Sequence, residues 1–153
     1  MNEPIISFII VNYNGKHLLK DCFESIKNLD YPEDRIEIIL VDNGSSDGSV
    51  EYLNKKYPKV IVIKNEINEG FAKPNNDAAK IAKGKYIALI NNDMRIDKNW
   101  LKDMLATLKS CDDSYACVGS RILNWGDNSI LVQIRPSTSQ ALAIRMILHS
   151  PLR

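Results

Sequence analysis

The 153-residue sequence predicts an α/β fold, a mainly parallel sheet flanked on both faces by helices. Three observations carry this expectation. β-Branched apolar runs alternate strictly with segments of helical periodicity. The runs are apolar at nearly every position, as strands buried on both faces are. The composition, 44% hydrophobic against 25% charged, supplies a core at the length of one ordinary domain.

The elements follow in order. Residues 5–11, Ile-Ile-Ser-Phe-Ile-Ile-Val, form the first strand and close in the turn-forming Asn12-Tyr13-Asn14-Gly15. Leu18, Leu19, Cys22, Phe23, Ile26 and Leu29 then recur at helical spacing. After Tyr31-Pro32, residues 36–41 read as a second buried strand. The turn at 42–48, Asp-Asn-Gly-Ser-Ser-Asp-Gly, offers Ser46 and Asp47 as helix caps. Val50, Leu53 and Tyr57 make a short helical stripe closed by Pro58. Residues 60–63 read as the third strand, 75–83 as a third helix ended by Gly84, and 86–90 as the fourth strand. Trp100, Leu101, Met104, Leu105 and Leu108 mark a fourth helix, with Trp100 in the core, and 115–119 a fifth strand. Beyond Ile122 the alternation weakens. Residues 130–134 read as a strand, and 141–148 as a terminal amphipathic helix capped by Ser137, Thr138 or Ser139.

Several function classes fall away. Twenty Lys plus Arg against nineteen Asp plus Glu leave a net charge of +1, which removes the electrostatic case for nucleic-acid binding or a membrane-surface coat. Cys22, Cys111 and Cys117 fit neither a disulfide framework nor a metal spacing, and Cys22 reads as a small buried hydrophobe. Met1-Asn2-Glu3-Pro4 lacks the basic start of a signal peptide, and the first apolar run is too short to span a bilayer, so a cytoplasmic location is expected. Gly15 alone follows the first strand, which excludes a dinucleotide fingerprint, and Gly15-Lys16-His17 is no phosphate loop. A nucleophile elbow is also missing. His17 and His149 read as solvated.

What remains is a set of carboxylates and amides at strand ends, where the ligand crevice of a wound sheet lies. Asp42 closes an apolar strand. It is either a cap on the following turn or an acceptor for the imide N–H of a pyrimidine or for a ribose hydroxyl, and the two roles are compatible. Asp93 is likewise either a turn-capping residue or, as a hard oxygen ligand, a holder of Mg²⁺ or Mn²⁺. Tyr13 either stacks on a base or is a partly buried aromatic at a strand end. Asn75-Asn76 reads as satisfying backbone groups at a helix start in preference to touching a ligand.

Four stretches, each at an expected strand end, together resemble the nucleotide-sugar-binding half of family 2 glycosyltransferases of GT-A fold. They are residues 11–15 (Val-Asn-Tyr-Asn-Gly), 41–49 (Val-Asp-Asn-Gly-Ser-Ser-Asp-Gly-Ser), 68–72 (Asn-Glu-Gly-Phe-Ala) with Asn75-Asn76, and 89–93 (Leu-Ile-Asn-Asn-Asp) followed by Trp100-Leu101. The match is most similar to the rhamnosyltransferase-like branch. The resemblance implies that Val11 and Tyr13 line the base pocket and that Asp42 holds a uracil or thymine ring. It further implies that Gly70 and Phe71 pass close to the nucleotide, that Asn92 lies near the ribose and phosphates, and that Asp93 is the metal ligand of an Asp-x-Asp-type motif. A UDP- or dTDP-sugar donor, a divalent cation (Mg or Mn) and a glycan or lipid-linked acceptor follow from it. So does cell-surface polysaccharide synthesis at the inner face of the membrane, by peripheral association.

The pattern departs from the family in three places. Asn91 stands at the first acidic position of the metal motif, and Pro74 where a small residue is usual, at a helix start that tolerates proline. The third departure concerns the general base, typically a carboxylate of a Glu-Asp pair in the acceptor-binding half. This sequence has no glutamate after Glu69, and Asp97, Asp103, Asp112, Asp113 and Asp127 stand in no such motif. The catalytic base is therefore unassigned. The expectation is an N-terminal portion of a transferase, truncated, with residues 1–121 as the nucleotide-sugar-binding core and 122–153 as the incomplete start of the acceptor side. An apolar surface left by that truncation implies self-association. The alternative is a nucleotide-binding remnant or interaction module without transferase activity. A nucleotidyltransferase is disfavoured by the missing basic, glycine-rich loop.

Overall fold

The computed structural model describes residues 3–110, 117–124, 130–132 and 144–148. These divide into two compact units, residues 1–20 with 32–92, and residues 21–31 with 93–153. Helix α1 (Lys16–Lys27) carries the chain from the first into the second.

The first unit is built on four parallel strands, β1 (Ile6–Asn12), β2 (Ile36–Asn43), β3 (Ile61–Asn65) and β4 (Tyr86–Asn91), in the order β3-β2-β1-β4. β1 is central, and Ile6, Phe8, Ile9 and Ile10 are all buried, which is why its sequence is apolar at successive positions rather than alternating. Helices α2 (Ser49–Lys56) and α3 (Ala72–Ile81) supply crossovers between parallel strands. α3 packs on β1 and β2, where Ala78 meets Ile9, Ile39 and Val41, with Ile61 and Ile63 alongside. Pro74 sits buried in the first turn of α3, where its missing N–H costs no helical bond.

The second unit contains β5 (Met94–Ile96), α4 (Trp100–Ser110), β6 (Ser120–Asn124), β7 (Ile130–Val132) and β8 (Ile144–Leu148). Its sheet runs β5-β8-β6-β7 and is mixed: β5/β8 and β6/β7 are antiparallel, β6/β8 parallel. Cys22, Phe23, Ile26 and Leu29 share this unit's core with Met94, Ile96, Trp100, Leu101, Leu105 and Leu123. Trp100 is therefore core, as expected. Ion pairs Arg95–Asp21 at 2.8 Å and Lys102–Asp30 at 2.6 Å fasten the α1 end to the rest of the unit.

Several expectations need correction. The fifth strand, placed at 115–119, begins instead at Ser120, and the described residues 117–119 are irregular. The terminal helix expected over 141–148 is a strand where it is described. Ile144–Leu148, apolar but for Arg145, is too short for periodicity to separate helix from strand, and pairing with β5 and β6 decides it. β5 was not foreseen, because three residues carry no period. Helix boundaries also move: α3 starts at Ala72 rather than 75, and α2 at Ser49, with Gly48 in the left-handed cap position (φ 78°). The cap candidates Ser137, Thr138 and Ser139, the residues Cys111, Asp112, Asp113 and Asp127, and His149 lie outside the described residues.

Candidate functional site at the carboxyl edge of the parallel sheet

In the first unit, the loops that leave β1, β2 and β3 emerge from the same edge of one sheet, since the strands are parallel and in register (Asn12 opposite Asp42, Asn43 opposite Asn65). Polar side chains knit these loops together. Asn12, fully buried, donates from Nδ2 to Asp42 Oδ1 at 3.1 Å and to Ser45 Oγ at 3.3 Å. Its Oδ1 accepts from Asn92 Nδ2 at 2.8 Å, so one amide ties together the ends of β2, β1 and β4. The Asn14 N–H donates to Ser45 Oγ at 2.9 Å, and Asn14 Oδ1 accepts the Ser46 N–H at 2.9 Å, with Asn14 in the left-handed region (φ 50°) that asparagine tolerates.

Asp42 is fully buried, and both its oxygens are engaged: Oδ1 with Asn12 and Oδ2 with the Ser45 N–H at 3.0 Å. The turn-capping role is thus present. Asp47 works the same way one turn later. Its Oδ2 accepts the Lys16 N–H at 2.8 Å where α1 begins, and its Oδ1 accepts the Ser49 N–H at 3.0 Å where α2 begins. One carboxylate caps two helices. Burial acts to raise its pKa, but the hydrogen bonds from the Ser49 hydroxyl and the Lys16 and Ser49 amides prevail and hold it below the usual carboxylate range.

Gly15 lies beneath this network. A Cβ there would meet Asn92 Nδ2 and Asn12 Oδ1 inside van der Waals contact, so a side chain at 15 and the Asn12–Asn92 bond exclude each other. The third loop hangs from Asn43, whose amide bonds to Asn65, Asn68, Glu69 and Gly70. Asn75 Nδ2 donates to the Phe71 carbonyl at 2.8 Å, which is the backbone-satisfying role expected of it.

On this scaffold the expected ligand-facing residues stand as follows. Val11 is half-buried at the end of β1. Tyr13 and Phe71 expose 53% and 60% of their surface, too much for core residues, and Gly70 (φ 80°) faces open space. Asn92 is held by Asn12. These residues belong with Asp42 to the first unit, and Asp93, the next residue along the chain, belongs to the second.

Asp93 Oδ1 is buried and has no hydrogen-bond partner. A buried carboxylate oxygen without a donor is costly in isolation, so the atom suits a cation that a ligand brings with it. The Asp93 charge also reaches the Cys22 thiol, whose pKa burial first, and Asp93 second, push up to about 12. No cluster of three or more His, Cys, Asp or Glu that could hold a metal by itself occurs among the described residues. The donor set is thus one carboxylate, which fits a Mg²⁺- or Mn²⁺-type ion that takes its remaining ligands from phosphates and water. Among the described residues no helix is long and apolar enough to cross a membrane.

Sequence reasoning missed Asn12, Asn43 and Gly15 as individuals. Their signal was residue type and place: two amides and a glycine at the ends of apolar strands.

Comparison with known proteins agrees with this architecture. Over 92 residues the chain is 44% identical to a poly(ribitol-phosphate) beta-glucosyltransferase of Bacillus spizizenii, a stretch that makes up 58% of this chain and 14% of that protein. The structure superposes on Staphylococcus aureus TarS 1-349 in complex with UDP-GlcNAc with a TM-score of 0.64 at 27% identity, covering 78% of this chain and 34% of the other. It shares the fold of the mannosyltransferase PcManGT from Pyrobaculum calidifontis, solved with GDP-Man and Mn²⁺ (TM-score 0.66, 21% identity, 80% and 36% coverage). The chain therefore spans between about a seventh and about a third of the length of these relatives. The model of glycosyl transferase family 2 matches residues 7–150, and the chain belongs to that family, with the GT-A fold.

Proposed function

We propose that the chain binds the nucleotide-sugar donor of a glycosyltransferase at the carboxyl edge of its parallel sheet. The observation that carries this reading is the knitting of the loops after β1, β2 and β3 into one rigid rim, from which Tyr13, Gly70 and Phe71 face outward. Buried bonds fix the floor and exposed aromatic rings meet the ligand, which is what a preformed nucleotide site requires. Val11 and Tyr13 flank the base, Gly70 and Phe71 border the nucleotide, and Asn92 lies toward the ribose and phosphates. Asp42 is already committed to the turn. As the acceptor for a ring N–H it would use the second lone pair of an oxygen whose first is taken. The relatives favour UDP as the nucleotide: TarS is solved with UDP-GlcNAc at 27% identity.

Asp93 is proposed to hold Mg²⁺ or Mn²⁺, supported by its unpartnered buried oxygen. A divalent ion held there would supply charge neutralisation to the departing diphosphate. In the complete reaction, the acceptor oxygen forms a bond to the anomeric carbon as the bond to the diphosphate oxygen breaks, and the hydroxyl proton passes to a base. A cell-surface glycan or lipid-linked acceptor at the inner membrane face, and the division into a donor-binding core at 1–121 and an acceptor side from 122, belong to the same proposal. Self-association does too. Ile87 and Leu89, 46% and 55% exposed, share one face of β4, which ends its sheet among the described strands.

The test is calorimetric titration with UDP and dTDP, with and without Mn²⁺, beside transfer from labelled donors. Metal-enhanced UDP binding supports the reading, and absence of binding by both nucleotides overturns it. Binding without turnover selects the second reading, a nucleotide-binding module.

A further inference from the structure

Asn43 ends β2 and is 2% exposed, and no polar atom of its side chain is idle. Nδ2 donates to Asn68 Oδ1 and to the Gly70 carbonyl, both at 2.8 Å. Oδ1 accepts from Asn65 Nδ2 at 3.1 Å and from the Glu69 N–H at 3.0 Å. Two donor and two acceptor bonds from one planar group can be made by an amide but not by a carboxylate or a hydroxyl. All four partners lie at or beyond the end of β3.

Outside the Asn43 amide, the loop at 66–71 is held by the Asn75 Nδ2 bond to the Phe71 carbonyl at 2.8 Å and by the Lys73–Glu69 ion pair at the surface. Its two large apolar side chains, Ile67 and Phe71, are 69% and 60% exposed, so burial does not anchor it. Its internal bond, Gly70 N–H to Asn68 Oδ1 at 2.9 Å, uses the same oxygen that Asn43 grips. A Cβ on Gly44 would stand 3.0 Å from the Ile67 backbone, so the residue after Asn43 lies directly against the loop.

We propose that Asn43 is a positioning residue that sets the 66–71 loop in the shape presenting Gly70 and Phe71 to the donor nucleotide. The proposal rests on the donor-site reading above. It assigns Asn43 no contact with the ligand.

The experiment uses Asn43→Asp in the 153-residue chain. The near-isosteric change keeps the acceptor facing Asn65 and Glu69, and sets a carboxylate against Asn68 Oδ1 and the Gly70 carbonyl. Hydrogen exchange at the loop amides is measured without nucleotide, and UDP affinity by calorimetry, each as a ratio to wild type. At about pH 7.5 both exchange at Gly70 and the UDP Kd rise about tenfold. Toward about pH 5 both ratios return toward one, because the introduced carboxyl, its pKa raised by burial and by the acceptors it faces, regains a proton to donate. Asn43→Ala loses affinity at every pH. Asn68→Ala, on the exposed loop, removes the Asn43–Asn68 bond and with it the Gly70 N–H bond to the same oxygen without touching the sheet, so if Asn43→Asp does not fold, exchange is read at Glu69, whose N–H donates to Asn43 Oδ1, beside UDP affinity.

Unchanged exchange together with unchanged affinity overturns the proposal. Faster exchange with unchanged affinity also overturns it while leaving the donor site intact. Weakened affinity with unchanged exchange and no recovery in acid overturns it in favour of direct contact with the nucleotide. If wild type binds no UDP, the donor-site reading fails, and the positioning role fails with it even where the exchange data show that Asn43 holds the loop.

Discussion

Replacing Gly15 with alanine isolates the packing beneath the nucleotide rim. Gly15 lacks the positive φ of Gly44, Gly48 and Gly70, so alanine is conformationally acceptable there. Just before a helix such a change ordinarily stabilises by about 0.4–1 kcal/mol through the unfolded chain. Here the new Cβ would sit 2.6 Å from Asn12 Oδ1 and closer still to Asn92 Nδ2. The Asn12–Asn92 bond must open, at a cost of about 1 kcal/mol, and crowding adds about 1–3 kcal/mol. The sum is a net loss of about 1–3.6 kcal/mol. With a urea m-value of about 2 kcal/mol/M, a loss of about 2 kcal/mol lowers the midpoint by about 1 M. Urea unfolding followed by far-UV circular dichroism reads this directly. In the double variant Gly15→Ala with Asn92→Gly, where the clash with Asn92 is relieved and that with Asn12 Oδ1 stays, the cost falls below the sum of the single changes. A Gly15→Ala chain as stable as wild type, or more so, refutes the packing described for this loop.

Other outcomes follow from the same geometry. Asn12→Ala deprives the buried Asp42 of a donor and Asn92 of its acceptor, and destabilises by about 2–3 kcal/mol in the same unfolding assay. Because the Asp47 pKa is depressed in the folded chain, its contribution is complete above the ordinary 3.8 and is lost as pH falls through the lower folded value. The stability difference between wild type and Asp47→Asn, measured by urea unfolding across acid pH, therefore shrinks below that range. Asp93→Asn removes a charge that helps raise the Cys22 thiol, so a spectroscopic thiol titration finds its pKa below about 12. Asp93→Ala abolishes the effect of Mn²⁺ on UDP affinity in calorimetry while leaving metal-free affinity near that of wild type.

Much of the first unit was legible because its physics is local. Strands buried on both faces must be apolar throughout, and Phe8, Ile39 and Leu40 are. Parallel strands need crossovers, and the helical stripes supplied them. The second unit was less legible. Ile144–Leu148 carries no period that separates helix from strand, and Met94–Ile96 is shorter than any pattern, so long-range pairing decided both. At the site, residue types and their order located the loops, whereas the partners of each amide depended on register. That Asn12 reaches Asp42, Ser45 and Asn92, and that Asn43 reaches past β3, follows from strands lying side by side, which no spacing along the chain encodes. Asp47 was expected as a cap on one helix and serves two, because the start of α1 comes alongside it.

Titration of the ¹⁵N-labelled chain with UDP and Mg²⁺, followed by amide chemical shifts, locates the nucleotide without relying on turnover. Perturbations should concentrate at residues 11–15, 42–48, 66–71 and 91–93. Shifts centred elsewhere, or none at saturating nucleotide, would contradict a donor site at the carboxyl edge of the parallel sheet.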